Sequence, residues 1–351
     1  MSGPSSLLLR QGAGALLTDF LGLRPGQSVL ITADEETDPQ TATAIFDAAL
    51  EAGVRPVVLT MPTLPFQGTL ADPYVPRIVN TAAAAADVWV DLTFPYLAGS
   101  RMHEEALKVG AVRYALVGDL SAPGLARLFG ATDLDRYFAV HTALEELLIG
   151  AEGKTARIRC PRGTDVSFAI AKAPYRKPRR AETSGSFTLP GSCAFFPVLE
   201  SVKGRIVFTS VFHEFYAPCV DLSIEVDGLI RSIAGPAEHR AALDRALRRA
   251  GNGNYGNIIH FTSGLNPCAR ATHASFIEDS RVLGSNAVGM GLPWWQPGGG
   301  ENHPDGVVSD QSLDLDGVQI IAGGDIVHPP ELAALARQLA PLVPAPSGDV
   351  H

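Results

Sequence analysis

Hydrophobic and polar positions follow two regimes along the chain. Over the first 150 residues, short apolar runs alternate with segments of helical period. Ser6 to Gly22 has helical apolar spacing, Arg24-Pro25-Gly26 breaks it, and Ser28 to Thr32 is a short apolar strand. Thr37 to Gly53 predicts a helix that stops at its glycine, and Val54 to Thr60 a second strand. Ala84 to Val90 reads as a helix end running into a third strand that closes near Thr93. Arg101 to Gly110 is helical, Val112 to Val117 is a fourth strand, and Leu134 to Gly150 is a further helix. Short apolar strands separated by helices predict a parallel sheet covered on its faces. No Gly-x-Gly-x-x-Gly follows any of these strands, so nucleotide binding has no motif behind it.

Beyond residue 150 the period shortens to two. Ala156 to Ala171 alternates like a strand pair, and Arg205 to Phe212 and Val220 to Ile233 are β-rich. Pro236 to Ala250 is an amphipathic helix, and Ile258 to Phe261, Arg281 to Val288 and Val318 to Ile321 predict further strands. The expected architecture is an α/β N-terminal domain with a mainly parallel sheet (1–150), followed by an α+β C-terminal domain (151–351). No flexible linker separates them, so close packing is expected.

Composition narrows the function classes. Apolar residues make up 46% of 351, enough for a sizeable core, and the net charge of −9 argues against a protein that grips a nucleic-acid backbone. The four cysteines have neither paired nor zinc-type spacing, which fits a reducing compartment. Arg10 and Gln11 interrupt the only N-terminal apolar run, and Asp87 ends the alanine run Ala82 to Ala86. Neither a signal peptide nor a membrane span is expected, and a soluble, cytoplasmic chain is. Nine histidines remain as possible metal ligands.

The segment from His260 to Asp305 carries the candidate chemistry. His260 emerges from the apolar strand Ile258-Ile259, and Gly264-Leu265-Asn266-Pro267 then turns the chain. A glycine- and proline-rich loop ends at His303-Pro304-Asp305. In extended backbone, residues two apart project to one side, so the imidazole of His303 and the carboxylate of Asp305 can share an ion. With His260 they form two histidines and a carboxylate, the ligand set of non-haem Fe(II) sites that keep positions open for substrate and dioxygen. By spacing alone, a solvated loop pair or an Asx turn explains His-x-Asp equally well.

The order of motifs resembles the thermophilic metalloaminopeptidases of the aminopeptidase T and S type, and their oxygenase offshoot, the 2,5-dihydroxypyridine 5,6-dioxygenases. One block runs from Leu189-Pro190-Gly191-Ser192 through Phe196-Pro197 to Glu200-Ser201-Val202-Lys203-Gly204. A second joins His260 and Gly264-Leu265-Asn266-Pro267 to Glu278-Asp279 and Val282-Leu283-Gly284, and the third is His303-Pro304-Asp305. The aminopeptidases are similar in order but have glutamates where this chain has Ser192 and His260. Loss of two carboxylates removes much of the negative charge that holds two divalent ions close together. The resemblance therefore implies one Fe(II), held by His260, His303 and Asp305, in a dioxygenase that takes a small hydroxylated nitrogen heteroaromatic and dioxygen.

The same resemblance implies further roles. His103, at the start of an N-domain helix, is the expected acid/base; otherwise it is a surface histidine opening a helix. Glu182 is a candidate for a substrate nitrogen or hydroxyl, or else a solvated loop carboxylate. Ser192, at the former metal-ligand position, is expected to line the pocket. Tyr255, between glycines ahead of the His260 strand, is a third substrate-binding candidate. In the related dioxygenases histidines near the Pro-Gly turn touch substrate; Cys193, Phe195 and Phe196 stand in that neighbourhood here, favouring a less polar ring. Trp294-Trp295 reads as a lid or a loop anchor, His273 as a rival ligand, and Arg176 to Arg180 as a solvated loop or an attractor of anions. His213 and His328 read as structural. The family tends to oligomerise, so a homo-oligomer is expected, with neither nucleic acid nor membrane as partner.

Overall fold

A computed structural model describes residues 4–174, 180–213, 215–293, 295, 303–339 and 341. In the first half, β1 (Val29–Ala33), β2 (Pro56–Thr60), β3 (Val88–Asp91) and β4 (Arg113–Leu116) form a parallel sheet. Between and around them run α1 (Pro4–Gly14), α2 (Pro39–Glu51), α3 (Arg77–Ala85), α4 (Arg101–Val109), the short α5 (Ala122–Leu125) and α6 (Leu134–Ile149). Strands β1, β3 and β4 are buried along their whole length, as a sheet covered on both faces requires. Local chemistry sets the helix ends. Asp38, Ser100 and Asp133 accept from backbone N–H groups of the first turns of α2, α4 and α6, and Gly110 closes α4 in the left-handed region.

The chain then leaves for a second sheet through β5 (Thr155–Arg159) and β6 (Asp165–Ala169), and returns as β7 (Gly185–Thr188). Strand β7 pairs parallel with β4, so the first sheet has the order β2-β1-β3-β4-β7. A segment from beyond residue 150 thus completes the sheet of the first half, a placement no local pattern encodes.

The remainder builds a large antiparallel sheet. It contains β8 (Ser192–Phe195), β9 (Lys203–Phe212), β10 (Tyr216–Asp227), β11 (Leu229–Ala234), β12 (Asn257–Gly264), β13 (Asn286–Gly291), β14 (Asp305–Val308), β15 (Ser312–Leu315), β16 (Val318–Ala322) and β17 (Asp325–Ile326). Helices α7 (Ala237–Ala250), α8 (Phe276–Asp279) and α9 (Pro330–Arg337) accompany it. The order is β17-β16-β15-β5-β6-β9-β14-β13-β12-β8, with β10 and β11 branching from β9. Strand β13 begins at Asn286 rather than Arg281. Residues 281–285 instead turn, with Arg281 N–H donating to Glu278 and Ser285 N–H to Val282, and Gly284 at φ 87°. Phe168, Phe195 and Phe261 stack in the core of this half.

Helix α8 ties the halves together. Asp119, from the loop after β4, accepts from the Ser275 hydroxyl and from the N–H groups of Phe276 and Ile277. Arg127 makes two bonds, of 2.6 and 2.8 Å, to the fully buried Glu278. Among the described residues, no helix is long and apolar enough to cross a membrane.

Candidate metal centre and its cavity

The centre is assembled across three neighbouring strands. His260 on β12 stands opposite Gly289 on β13, and Gly289 opposite Asp305 on β14. The middle position has no side chain, so the outer two lean over it. A Cβ on Gly289 would lie 2.2 Å from His260 Nε2, inside any permitted contact. His303, two residues before Asp305, brings the third donor, and the Gln67 amide donates to its carbonyl at 3.1 Å. His260 Nε2 lies 3.3 Å from Asp305 Oδ1 and 3.4 Å from His303 Nε2, and His303 Nε2 lies 3.4 Å from Asp305 Oδ2.

These three are the described residues whose donor atoms cluster closely enough to hold an ion. Their chemistry fits one. Thr262 Oγ1, 3.1 Å from His260 Nδ1, is an acceptor for the Nδ1 proton, which leaves the Nε2 lone pair facing the cluster. Burial alone would raise the Asp305 carboxyl; positive charge and N–H donation from the facing His303 and His260 imidazoles overcome it and hold the group well below the usual range, and a metal cation would take over that role with the imidazole lone pairs turned on it. Two nitrogen donors and one carboxylate, with a hollow over Gly289, suit a single transition-metal ion such as Fe(II).

The cluster opens into a cavity of about 670 Å³ between the two sheets. His103, Ser186, Ser192, Tyr96 and Arg281 are among its walls. His103 Nδ1 accepts from Gly99 N–H at 3.1 Å, and Nε2 lies 3.1 Å from Ser186 Oγ. With Nδ1 engaged as an acceptor, the neutral ring carries its proton on Nε2. Burial pushes its pKa down to about 4, so the ring is neutral at physiological pH.

A profile of the 2,5-dihydroxypyridine 5,6-dioxygenases (NicX) matches residues 19–328. The chain belongs to this family. Among solved structures it resembles the 2,5-dihydroxypyridine dioxygenase of Pseudomonas putida KT2440, with 20% identity, TM-score 0.69, and coverage of 94% of this chain and 100% of that one. It also resembles the aminopeptidase AmpT of Thermus thermophilus, with 14% identity, TM-score 0.60, and coverage of 91% and 99%. At these identities the two structures establish the shared fold. Among curated protein sequences none matches significantly.

Of the residues singled out from sequence, the structure brings His103, Ser192, His260, His303 and Asp305 to one cavity. Glu182 and Tyr255 are not among the cavity's lining residues. Glu182 is exposed in the turn before β7, where Ala181 N–H docks on the Phe20 carbonyl. The Tyr255 hydroxyl is bonded to Asp244, and Arg248 lies 5.0 Å over its ring, so both partners come from α7. His273 is half-exposed beside Asp279, 3.9 Å away, and is not part of the ligand cluster. Trp294 lies outside the described residues, while Trp295 packs edge-on against Phe196 at 5.2 Å. Of the basic run, 176–179 lie outside the described residues, and Arg180 pairs with Asp135. One expectation near the Pro-Gly turn is corrected: Cys193 on β8 is buried in the core and does not line the cavity, while Ser192, Ala194 and Phe195 on β8 and Phe196 just after it do.

Sequence reasoning missed wall residues, Arg281, Tyr96, Thr262 and Ser186 among them, and the glycine. Arg281 is 4% exposed, and among the described residues its guanidinium bonds to the Leu189 and Ile277 carbonyls and the Ser280 hydroxyl and pairs with no carboxylate. Burial lowers its pKa to about 10, so it remains a cation facing the cavity. The half-buried Tyr96 phenol stays protonated, because desolvation and then the charges of Asp305 and Asp119 disfavour the phenolate. Thr262 was overlooked as the support of His260. A glycine inside the apolar run Ala287-Val288-Gly289-Met290 was the one readable signal, since strand glycines mark close approach.

Proposed function

We propose that this protein is a mononuclear Fe(II) dioxygenase that opens a hydroxylated nitrogen heteroaromatic ring, of the 2,5-dihydroxypyridine type, and places both atoms of dioxygen in the product. The single observation that carries this reading is the one-ion donor set of His260, His303 and Asp305 around the hollow of Gly289. The two-metal alternative needs bridging carboxylates, and the corresponding positions hold His260 and Ser192.

A ferrous ion held by these ligands supplies the electron transfer between ring and dioxygen that cleavage requires. The chain's own groups bind and orient the ring. Neutral His103 presents Nε2–H to a substrate oxygen in place of the Ser186 hydroxyl, stabilising negative charge without itself being a cation. In this reading the acid/base role expected from sequence becomes hydrogen-bond donation from Nε2. Arg281 compensates a deprotonated substrate hydroxyl, and its burial strengthens that pairing. Tyr96 offers a second protonated donor from the wall beside Asp305. Ala194 and Phe196 pack against the ring face and keep water from it.

The test is anaerobic reconstitution with Fe(II), followed by oxygen uptake with dihydroxypyridines, in parallel with peptide-amide hydrolysis in added Co(II) or Zn(II). One ion per chain with stoichiometric oxygen uptake is expected. Two ions per chain with amide hydrolysis would overturn the reading in favour of an aminopeptidase. One ion tightly bound, with neither activity, would make the chain a binding protein.

A further inference from the structure

The imidazole of His103 is held by a turn that the parallel sheet grips from behind. The chain leaving β3 folds Leu97 to Ser100 into a turn, with Ser100 N–H donating to the Leu97 carbonyl at 3.1 Å and Gly99 at φ 78°. A glycine with positive φ at the third position is what a type II turn requires. Gly99 N–H is the donor that engages His103 Nδ1, and the Ser100 hydroxyl accepts from His103 N–H at 3.2 Å. Turn, helix cap and imidazole are thus one connected unit.

Asp91, the last residue of β3 and fully buried, anchors that unit. Its Oδ2 accepts from Leu97 N–H at 2.8 Å and from the Tyr114 hydroxyl at 2.6 Å. Its Oδ1 accepts from the Thr32 hydroxyl at 2.9 Å, Thr93 N–H at 3.1 Å and the Thr93 hydroxyl at 2.7 Å. The Tyr114 ring stands edge-on to His103 at 4.5 Å. Asp91, Leu97 and Tyr114 are not among the residues lining the cavity, so anything Asp91 does there passes through the turn and His103.

We propose that Asp91 is a positioning residue for His103: by holding Leu97 N–H it fixes the turn that keeps Gly99 N–H on Nδ1, and so keeps the imidazole proton on Nε2, toward the substrate. The consequence for ring opening rests on the dioxygenase reading, whereas the tautomer itself does not. An amide at this position has one acceptor oxygen where two are used. Thr93 N–H cannot reverse, so the amide oxygen of Asp91→Asn belongs at the Oδ1 place. Its NH2 then takes the Oδ2 place, where the Tyr114 hydroxyl can turn and accept but Leu97 N–H cannot.

The experiment reads the His103 tautomer from long-range 1H–15N correlations of the histidine-labelled full chain, loaded with Zn(II) as a diamagnetic stand-in for iron. The His103 signals are assigned by their loss in His103→Gln. Wild type should show a neutral ring with its proton on Nε2. Asp91→Asn should populate the Nδ1–H form, and kcat for oxygen uptake with 2,5-dihydroxypyridine by the Fe(II)-loaded protein should fall about tenfold at unchanged iron stoichiometry. Tyr114→Phe keeps both the Leu97 bond and the ring, and should keep the wild-type tautomer. Should Asp91→Asn fail to fold, Gly99→Ala strains the same turn without touching the carboxylate and should give the same mixture. A wild-type tautomer in folded Asp91→Asn, or in Gly99→Ala in its place, would overturn the proposal and leave Asp91 a purely structural carboxylate. An equal change in Tyr114→Phe would overturn it too, by assigning the control to the phenol. Wild-type protein that consumes no oxygen with dihydroxypyridines would sink ring cleavage instead, and the tautomer comparison would still decide the role of Asp91.

Discussion

Two buried acidic clusters lie close to the interface of the sheets, and they differ in what surrounds them. Asp305 faces two imidazoles across a space that Gly289 keeps empty. Around α8, Glu278 takes both branches of Arg127 and the Arg270 N–H, and Asp279 accepts from the N–H groups of Thr272 and His273, the Thr272 hydroxyl and the Tyr216 hydroxyl. The second cluster satisfies its oxygens with hydrogens of the protein itself. The first groups its carboxylate with two imidazole nitrogens around a void, a donor set that a metal cation completes. A buried carboxylate therefore marks a metal centre when its neighbours are donors grouped around a void, and a latch when they are N–H and O–H groups. The Glu278-Asp279 pair, which sequence comparison places among the recurring motifs, joins the two halves and touches no metal ligand.

The comparison is broken most severely at the ligands. His260→Ala, His303→Ala and Asp305→Ala should each abolish iron binding while the fold is retained, checked by metal analysis alongside circular dichroism. Retained iron in any one would remove that residue from the centre. Next comes the void. Gly289→Ala places a methyl where His260 Nε2 stands and should weaken iron binding by about a hundredfold, the upper end of what changes around metal ligands cost. Iron titration at wild-type affinity in this variant would show that the hollow is not what admits the ion.

The latch should respond in the opposite sense. Glu278→Gln leaves Arg127 without its counter-charge and should cost about 3 kcal/mol of stability in urea unfolding, with one iron still bound per folded chain. Loss of iron stoichiometry with unchanged stability would merge the two clusters into one site. The smallest effect is in pH. The folded-state pKa of His103 lies near 4, below its unfolded value of 6.5, so the unfolded chain binds the extra proton between those values. Its contribution to stability is therefore complete above about pH 6.5 and lost as pH falls toward 4. Comparing thermal unfolding of wild type and His103→Gln across that window should show a shallower acid decline in the variant; parallel curves would place His103 in water.

Much of the first half was legible because its strands and helices carry local signals. Apolar runs, the Asp38, Ser100 and Asp133 caps, and Gly53 and Gly110 stops all act within a few residues. The partner of β4 was not legible, since β7 comes from residues 185–188 and pairing across the chain leaves no local periodicity. At the site, His303 and Asp305 were visible from spacing and His260 from its place on an apolar strand, and the family resemblance joined the three. The order of β8 side chains was not, and one residue of register decides whether Cys193 or Ala194 meets the ligand. Glu182 and Tyr255 were chosen by proximity along the sequence, and local partners hold both elsewhere.

What the sequence determined by itself was the inventory: two histidines and an aspartate in place of a carboxylate-rich set, and the alternation that makes them part of strands. Side-chain type fixes which ion can be held, because donor chemistry belongs to the residue. The tertiary structure decided the rest. Strand order put Gly289 between His260 and Asp305, α6 gave the cavity its far wall, and the turn after α8 buried Arg281 against it. Those placements depend on non-local pairing and packing, whose energies come from the assembled sheets and not from any segment alone.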